Sequence, residues 1–194
     1  MKKTLTMVLA FALVFALGVG GTLAWLTDST QAVKNTFTTS DVDITLEETG
    51  TTLVEGVDEK DFKMVPGATL TKDPKVTVLA DSEKCYVFVK VEESNNCDDF
   101  ITYAVDESKW TALEGVAGVY YKVVESSAND QEFNVLTNNQ VKVLESVTKK
   151  NMDDLTEATY PTLTFTAYAI QFDYLTKNDV AVTNAAGAWA LIEK

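Results

Sequence analysis

Apolar and polar side chains alternate one for one along much of this chain, and no other feature constrains its fold as tightly. Successive side chains of a strand point to opposite faces, so a period of two marks a strand with one face buried. In Asp41-Val42-Asp43-Ile44-Thr45-Leu46-Glu47 the apolar residues are 42, 44 and 46. Lys75-Val76-Thr77-Val78 repeats the pattern, and residues 85–92 set Cys85, Val87, Val89 and Val91 on one face. Residues 118–124, 133–136 and 141–147 read as further strands. The longest run, 162–172 (TLTFTAYAIQF), turns Leu163, Phe165, Ala167 and Ala169 one way. Its Thr, Tyr, Phe and Ile residues suit a pleated, half-buried surface.

Breakers fall between these runs. Val65-Pro66-Gly67 predicts a turn, with Pro fixing φ and Gly accepting a positive one. Asn95-Asn96 predicts another. Asn138-Asn139 predicts a hairpin joining 133–136 to 141–147. Residues 48–63 are acidic and read as a loop, residues 149–158 as holding one short helical turn, and the tail 178–194, with Trp189, as a short helix. About seven to nine short strands separated by turn signals imply an all-β, antiparallel β-sandwich.

The start of the chain reads differently. Lys2 and Lys3 precede an uncharged, almost wholly apolar stretch, residues 5–19 (LTMVLAFALVFALGV), followed by Gly20-Gly21-Thr22-Leu23-Ala24. A basic start, an apolar core and small residues at −3 and −1 are what signal peptidase reads. Cleavage between Ala24 and Trp25 is expected, which makes residues 1–24 a signal peptide and the mature chain a secreted one. The alternative is a membrane anchor, which needs about 20 apolar residues.

Charge and missing residue types exclude several functions. The formal charge is −13, with no His and no Arg. A nucleic-acid binder displaces counterions with Lys and Arg, and this chain would repel phosphates and anionic membranes alike. Without His there is no Ser-His-Asp or Cys-His centre and no helical two-His zinc motif. No phosphate-binding glycine loop or nucleophile elbow is present, so no enzyme activity, catalytic residue, metal ligand or cofactor is indicated. The pairs Asp41/Asp43, Asp98/Asp99 and Asp153/Asp154 lack the spacing of a calcium loop. Cys85 and Cys97 would reach an oxidising compartment, where a disulfide can form. Against it, Cys85 opens a strand whose eight extended residues carry the chain about 26 Å away. A bridge and two free thiols both remain open.

The junction Gly20-Gly21-Thr22-Leu23-Ala24-Trp25-Leu26-Thr27-Asp28, followed by Asn35-Thr36-Phe37-Thr38 and Val42-Asp43-Ile44, resembles the start of the TasA/camelysin family of Gram-positive bacteria, whose precursors are cut by the dedicated signal peptidase SipW. Met64-Val65-Pro66-Gly67, Lys72-Asp73-Pro74, Tyr86-Val87-Phe88-Val89-Lys90-Val91 and Ala167-Tyr168-Ala169-Ile170-Gln171 are similar again. The resemblance implies a jelly-roll-like sandwich and a structural subunit of an extracellular fibre or biofilm matrix. In fibre-forming members the mature N-terminal strand completes a neighbour's sheet. Leu26 stands where the family usually has Phe, and Ser40-Asp41 where it usually has Gly.

On this reading residues 25–48 form an N-terminal strand segment and 49–194 the sandwich domain. Trp25, Leu26, Val42, Ile44 and Leu46 would serve strand donation in a homopolymer. The alternation of 42, 44 and 46 fits equally a strand packed in its own sandwich. The alternative function is a monomeric secreted or surface-attached binding or adhesion module on the same fold.

Overall fold

A nine-residue strand, β6 (Cys85–Glu93), lies at the centre of the molecule. Its residues from Cys85 to Val89 are all buried, which requires cover on both faces of its sheet. On one side it pairs antiparallel with β12 (Leu163–Gln171), with Gln171 opposite Cys85 and Leu163 opposite Glu93. On the other it pairs with β9 (Val119–Val124), and β8 (Thr111–Ala112) follows, giving the order β12-β6-β9-β8. The computed structural model describes residues 41–54 and 57–193, all within one unit spanning Thr39–Lys194.

One face of this sheet is covered by a second, ordered β1-β5-β10, from β1 (Ile44–Glu47), β5 (Lys75–Val78) and β10 (Gln131–Asn134). Val76 and Val78 of β5 meet Val87 and Val89 of β6 in a core that also holds Trp110, Val135 and Leu136. The opposite face is covered by a helix. Among the described residues two α-helices precede it, α1 (Cys97–Phe100) and α2 (Lys149–Asp153), and it is α3 (Ala185–Ile192). The Asn184 side chain starts α3 by accepting a hydrogen bond from the Gly187 N–H at 2.7 Å, which satisfies one orphan donor of the first turn. Small residues on α3 bring Ala188 and Trp189 down onto Tyr86 and Phe88.

A third sheet, β4-β11-β7, is built from β4 (Thr69–Thr71), β11 (Gln140–Val143) and β7 (Ile101–Thr102). Phe100, Val143 and Val147 form a small core of their own there. Two short hairpins complete the strands: β2 (Thr52–Val54) with β3 (Val57–Glu59), and β13 (Thr176–Lys177) with β14 (Val180–Ala181). Among the described residues all pairings are antiparallel and helices are few, so the fold is all-β in class.

Several expectations need correction. Residues 133–136 and 141–147 do not form a hairpin. Asn138 and Asn139 do turn the chain, both at φ 54°, but the turn carries it from one sheet to another. Phe133 pairs with Val76, and Val141 pairs with Leu70. The loop expected over 48–63 contains the β2–β3 hairpin. The 141–147 strand stops at Val143, because residues 144–147 turn, with the Val147 N–H donating to the Leu144 carbonyl at 3.3 Å, and Thr148 then opens α2 through a reciprocal cap with Asn151. Strand β1 is hydrogen-bonded to β5 along residues 44–47.

Candidate functional site

The expected signal peptide, its cleavage site Ala24/Trp25, and the donor residues Trp25 and Leu26 lie outside the described residues. Val42, Ile44 and Leu46 are described, and all three are partly buried against the main core of their own chain. Ile44 stands opposite Val78 and Leu46 opposite Val76. The structure thus packs this stripe on the core of its own chain.

Sheet edges are where strands can be added, and the longest edge strand among the described residues is β12. Strand β12 pairs with β6 along one edge, and no strand among the described residues pairs with the other. Its nine residues, LTFTAYAIQ, contain no charge. Leu163, Phe165, Ala167 and Ala169 pack inward on the main core. Tyr168, Ile170 and Phe172 pack on the α3 side. Both faces are thus occupied, and among the described residues the row of main-chain groups along the outer edge has no strand partner. Proteins blunt such edges with short strands, charges, proline or bulges. The other edges follow that rule: β8 and β7 have two residues each, β4 three, and β1 and β10 four. Strand β10 also carries Glu132, bonded to Lys75 at 2.8 Å. Strand β12 is nine residues long and carries no charge or proline. At its C-terminal end a recess of about 390 Å³ opens between Asp41, Val42, Ala169, Ile170, Gln171 and Leu175.

The two thiols do not bridge. Cys85 begins β6 and Cys97 begins α1 beyond its far end, and both are free and buried. Burial pushes each thiol up to about 11, with Glu93 and Asp98 adding to the effect at Cys97. A neutral buried thiol is a poor nucleophile. The geometric reading of the strand holds, and the disulfide is not formed.

A second concavity of about 570 Å³ is lined by Glu93, Asp98, Glu107, Tyr103 and Tyr120, among others. Tyr103 donates a hydrogen bond to Glu93. Burial, then that bond, raises the Tyr103 phenol well above its ordinary range. Among the described residues no group of three or more His, Cys, Asp or Glu is placed to hold a metal ion. Of the acidic pairs, Asp98/Asp99 sit in the first turn of α1, and Asp153 pairs with Lys149.

Sequence reading missed one unusual lysine. Lys122 stacks on Phe133, with its Nζ 3.4 Å from the ring centroid, and lies 5.8 Å from that of Trp110. Desolvation, then repulsion from Lys109, lowers its pKa, while Asp106 opposes them. Its signal was a lysine inside the apolar run GVYYKVV.

Fold and edge together define an antiparallel all-β protein in which, among the described residues, one long sheet edge has no strand partner. No family model, curated protein or solved structure matches the chain. Among the described residues no helix is long and apolar enough to cross a membrane.

Proposed function

We propose that this chain is a secreted structural subunit of an extracellular fibre or biofilm matrix, assembled head to tail on a jelly-roll-like sandwich. The mature N-terminal strand of one copy completes a sheet of the next. The observation that carries this reading is the uncharged nine-residue outer edge of β12. A strand added there gains main-chain hydrogen bonds along its length, while alternate side chains settle into pockets. The donor is the segment 25–40, long enough to match nine residues and rooted by Val42, Ile44 and Leu46. The recess beside Val42 and Ala169 suits an apolar plug such as Trp25 or Leu26 of the neighbour. A head-to-tail interface of this kind generates open filaments rather than closed rings. Signal cleavage after Ala24 times the process, because the donor terminus does not exist before it.

Electron microscopy of the purified mature protein at rising concentration tests the reading. Fibres are expected from residues 25–194, and a folded, soluble monomer from a variant lacking residues 25–35. Fibres of normal morphology from the deletion variant would remove strand donation as the linkage. A second reading, a monomeric secreted or surface-attached binding module, is favoured by the concavity walled by Tyr103, Tyr120 and three carboxylates. It replaces the first if the mature protein stays monomeric at high concentration.

A further inference from the structure

Among the described residues, two buried side-chain oxygen atoms have no hydrogen-bond partner: Glu48 Oε1 and Asn139 Oδ1. Leaving such an atom unpaired forfeits its hydration with nothing in return. Both atoms belong to residues bonded to a single lysine. The Lys72 ammonium donates to Glu48 Oε2 at 2.8 Å, and the Lys72 backbone N–H donates to the Asn139 carbonyl at 2.9 Å.

Register explains why the three residues meet. Strands β4 and β11 pair with Leu70 opposite Val141 and Thr71 opposite Gln140. One step further, Lys72 faces Asn139. Leu70 and Val141 both pack on the main core. Residues two apart on a strand share a face, so Lys72 follows Leu70 toward that inner side, while Asn139, in the left-handed turn before β11 at φ 54°, is held beside it by the Lys72 N–H bond to its carbonyl and keeps its Oδ1 buried. The surroundings are dry and aromatic. The Lys72 Nζ lies 5.2 Å from the Phe165 centroid and 5.7 Å from that of Phe62. The side chains of Lys72 and Glu48 are only 12% and 11% exposed. The nearest other cation to Glu48 Oε1 is Lys60, at 3.8 Å, too far for a hydrogen bond.

We infer that Lys72 and Asn139 are joined by an intramolecular isopeptide bond, with Glu48 as the proton carrier of its formation. The Glu48 carboxylate takes a proton from the Lys72 ammonium. The freed amine attacks Asn139 Cγ, forming the new C–N bond and a tetrahedral centre. Glu48 hands its proton to Nδ2 and takes the second proton from the lysine nitrogen. The Cγ–Nδ2 bond breaks and ammonia leaves. A carboxylate, an ammonium and a primary amide become a carboxylic acid, a secondary amide and ammonia, so atoms and charge balance without an outside reagent. The product also removes the anomaly from which the inference starts. Protonated Glu48 can donate from Oε1 to the amide oxygen that was Asn139 Oδ1, and the new amide N–H donates to Oε2. The cross-link would bind the β4–β5 connection to the turn before β11, two sheets' worth of chain apart in sequence.

Tryptic digestion of the denatured full chain, read by tandem mass spectrometry, tests this. The expected result is a branched peptide pair joined through Lys72 and Asn139, lighter than its parts by one ammonia and uncut after Lys72. Glu48→Ala and Asn139→Ala should give linear peptides of full mass. Lys72→Arg should do the same while keeping a cation beside Glu48, and its near-ultraviolet circular dichroism verifies folding. Linear peptides of full mass from folded wild-type protein overturn the inference. So does an ammonia loss confined to the peptide holding Asn139 and Gln140, which would be a succinimide.

Discussion

Replacing Trp189 with Ala removes the side chain that fastens α3 to the sheet. Trp189 is 3% exposed, against 0% for Phe88 and 5% for Tyr86 beneath the helix. Its ring lies 5.2 Å from that of Phe88 and 5.3 Å from that of Tyr168, the second contact edge-on at 83°. A buried Trp truncated to Ala costs about 3–5 kcal/mol, and each well-placed aromatic pair adds about 0.5–1.5 kcal/mol beyond area. Eight residues cannot hold a helix in water by themselves, so α3 depends on this packing. Its loss bares Phe88 to solvent, which puts the substitution at the upper end, about 4–5 kcal/mol. Small domains hold only about 5–15 kcal/mol in total. Trp189→Phe keeps a ring over Phe88 and forfeits the indole N–H bond to Glu193, 3.1 Å long, so it should cost about 1–2 kcal/mol. Urea unfolding followed by the fluorescence of buried Trp110 reads both variants, and hydrogen exchange of amides 185–192 reads the helix itself. A loss under about 1.5 kcal/mol for Trp189→Ala, or native protection of those amides, would refute the claim that this one side chain docks the helix.

Two glycines separate strain from collision. Gly118 has φ +72°, and a Cβ there would meet the Val91 carbonyl oxygen at 2.6 Å, whereas Gly115 has φ +78° with nothing within 4 Å. Gly115→Ala should cost only the left-handed penalty, about 1–2 kcal/mol, and Gly118→Ala about 2–4 kcal/mol; equal losses in urea titration would dismiss the collision. The thiols give a pH dependence. Burial moves both from 9.0 to about 11, so above pH 9 the unfolded chain releases protons that the folded chain keeps. Stability from this source is full below pH 9 and falls as pH rises through 11, by at most about 2–3 kcal/mol per thiol. A Cys85→Ala, Cys97→Ala variant should lose correspondingly less between those pH values, and identical pH profiles would show that the thiols are not its origin.

The strands that carry the core were legible one by one. Val76 and Val78, the buried run of β6 and the inward row from Leu163 to Ala169 follow from alternation between consecutive residues, which is a local property that sterics impose on any extended chain. The separation of Cys85 from Cys97 was legible for the same reason, because a strand has a fixed rise. The charge-free composition of 162–172 was equally plain.

Partnership was not written locally. Asn138 and Asn139 encode a turn, but whether that turn closes a hairpin or passes between sheets depends on what Phe133 and Val141 meet, and those partners lie far away along the chain. The same holds for the edge of β12. Its sequence reads as a half-buried strand, and only the order of the sheet leaves one side of its backbone without a partner among the described residues. Glu48, Lys72 and Asn139 are unremarkable polar residues in three separate loops of the sequence. The β4–β11 register and the packing of β1 over β12 bring them together out of water, where an unpaired oxygen becomes costly. Local periodicity is set by neighbouring residues and sterics, whereas pairing, burial and reactivity are set by distant side chains competing for the same interior, which only the assembled tertiary structure decides.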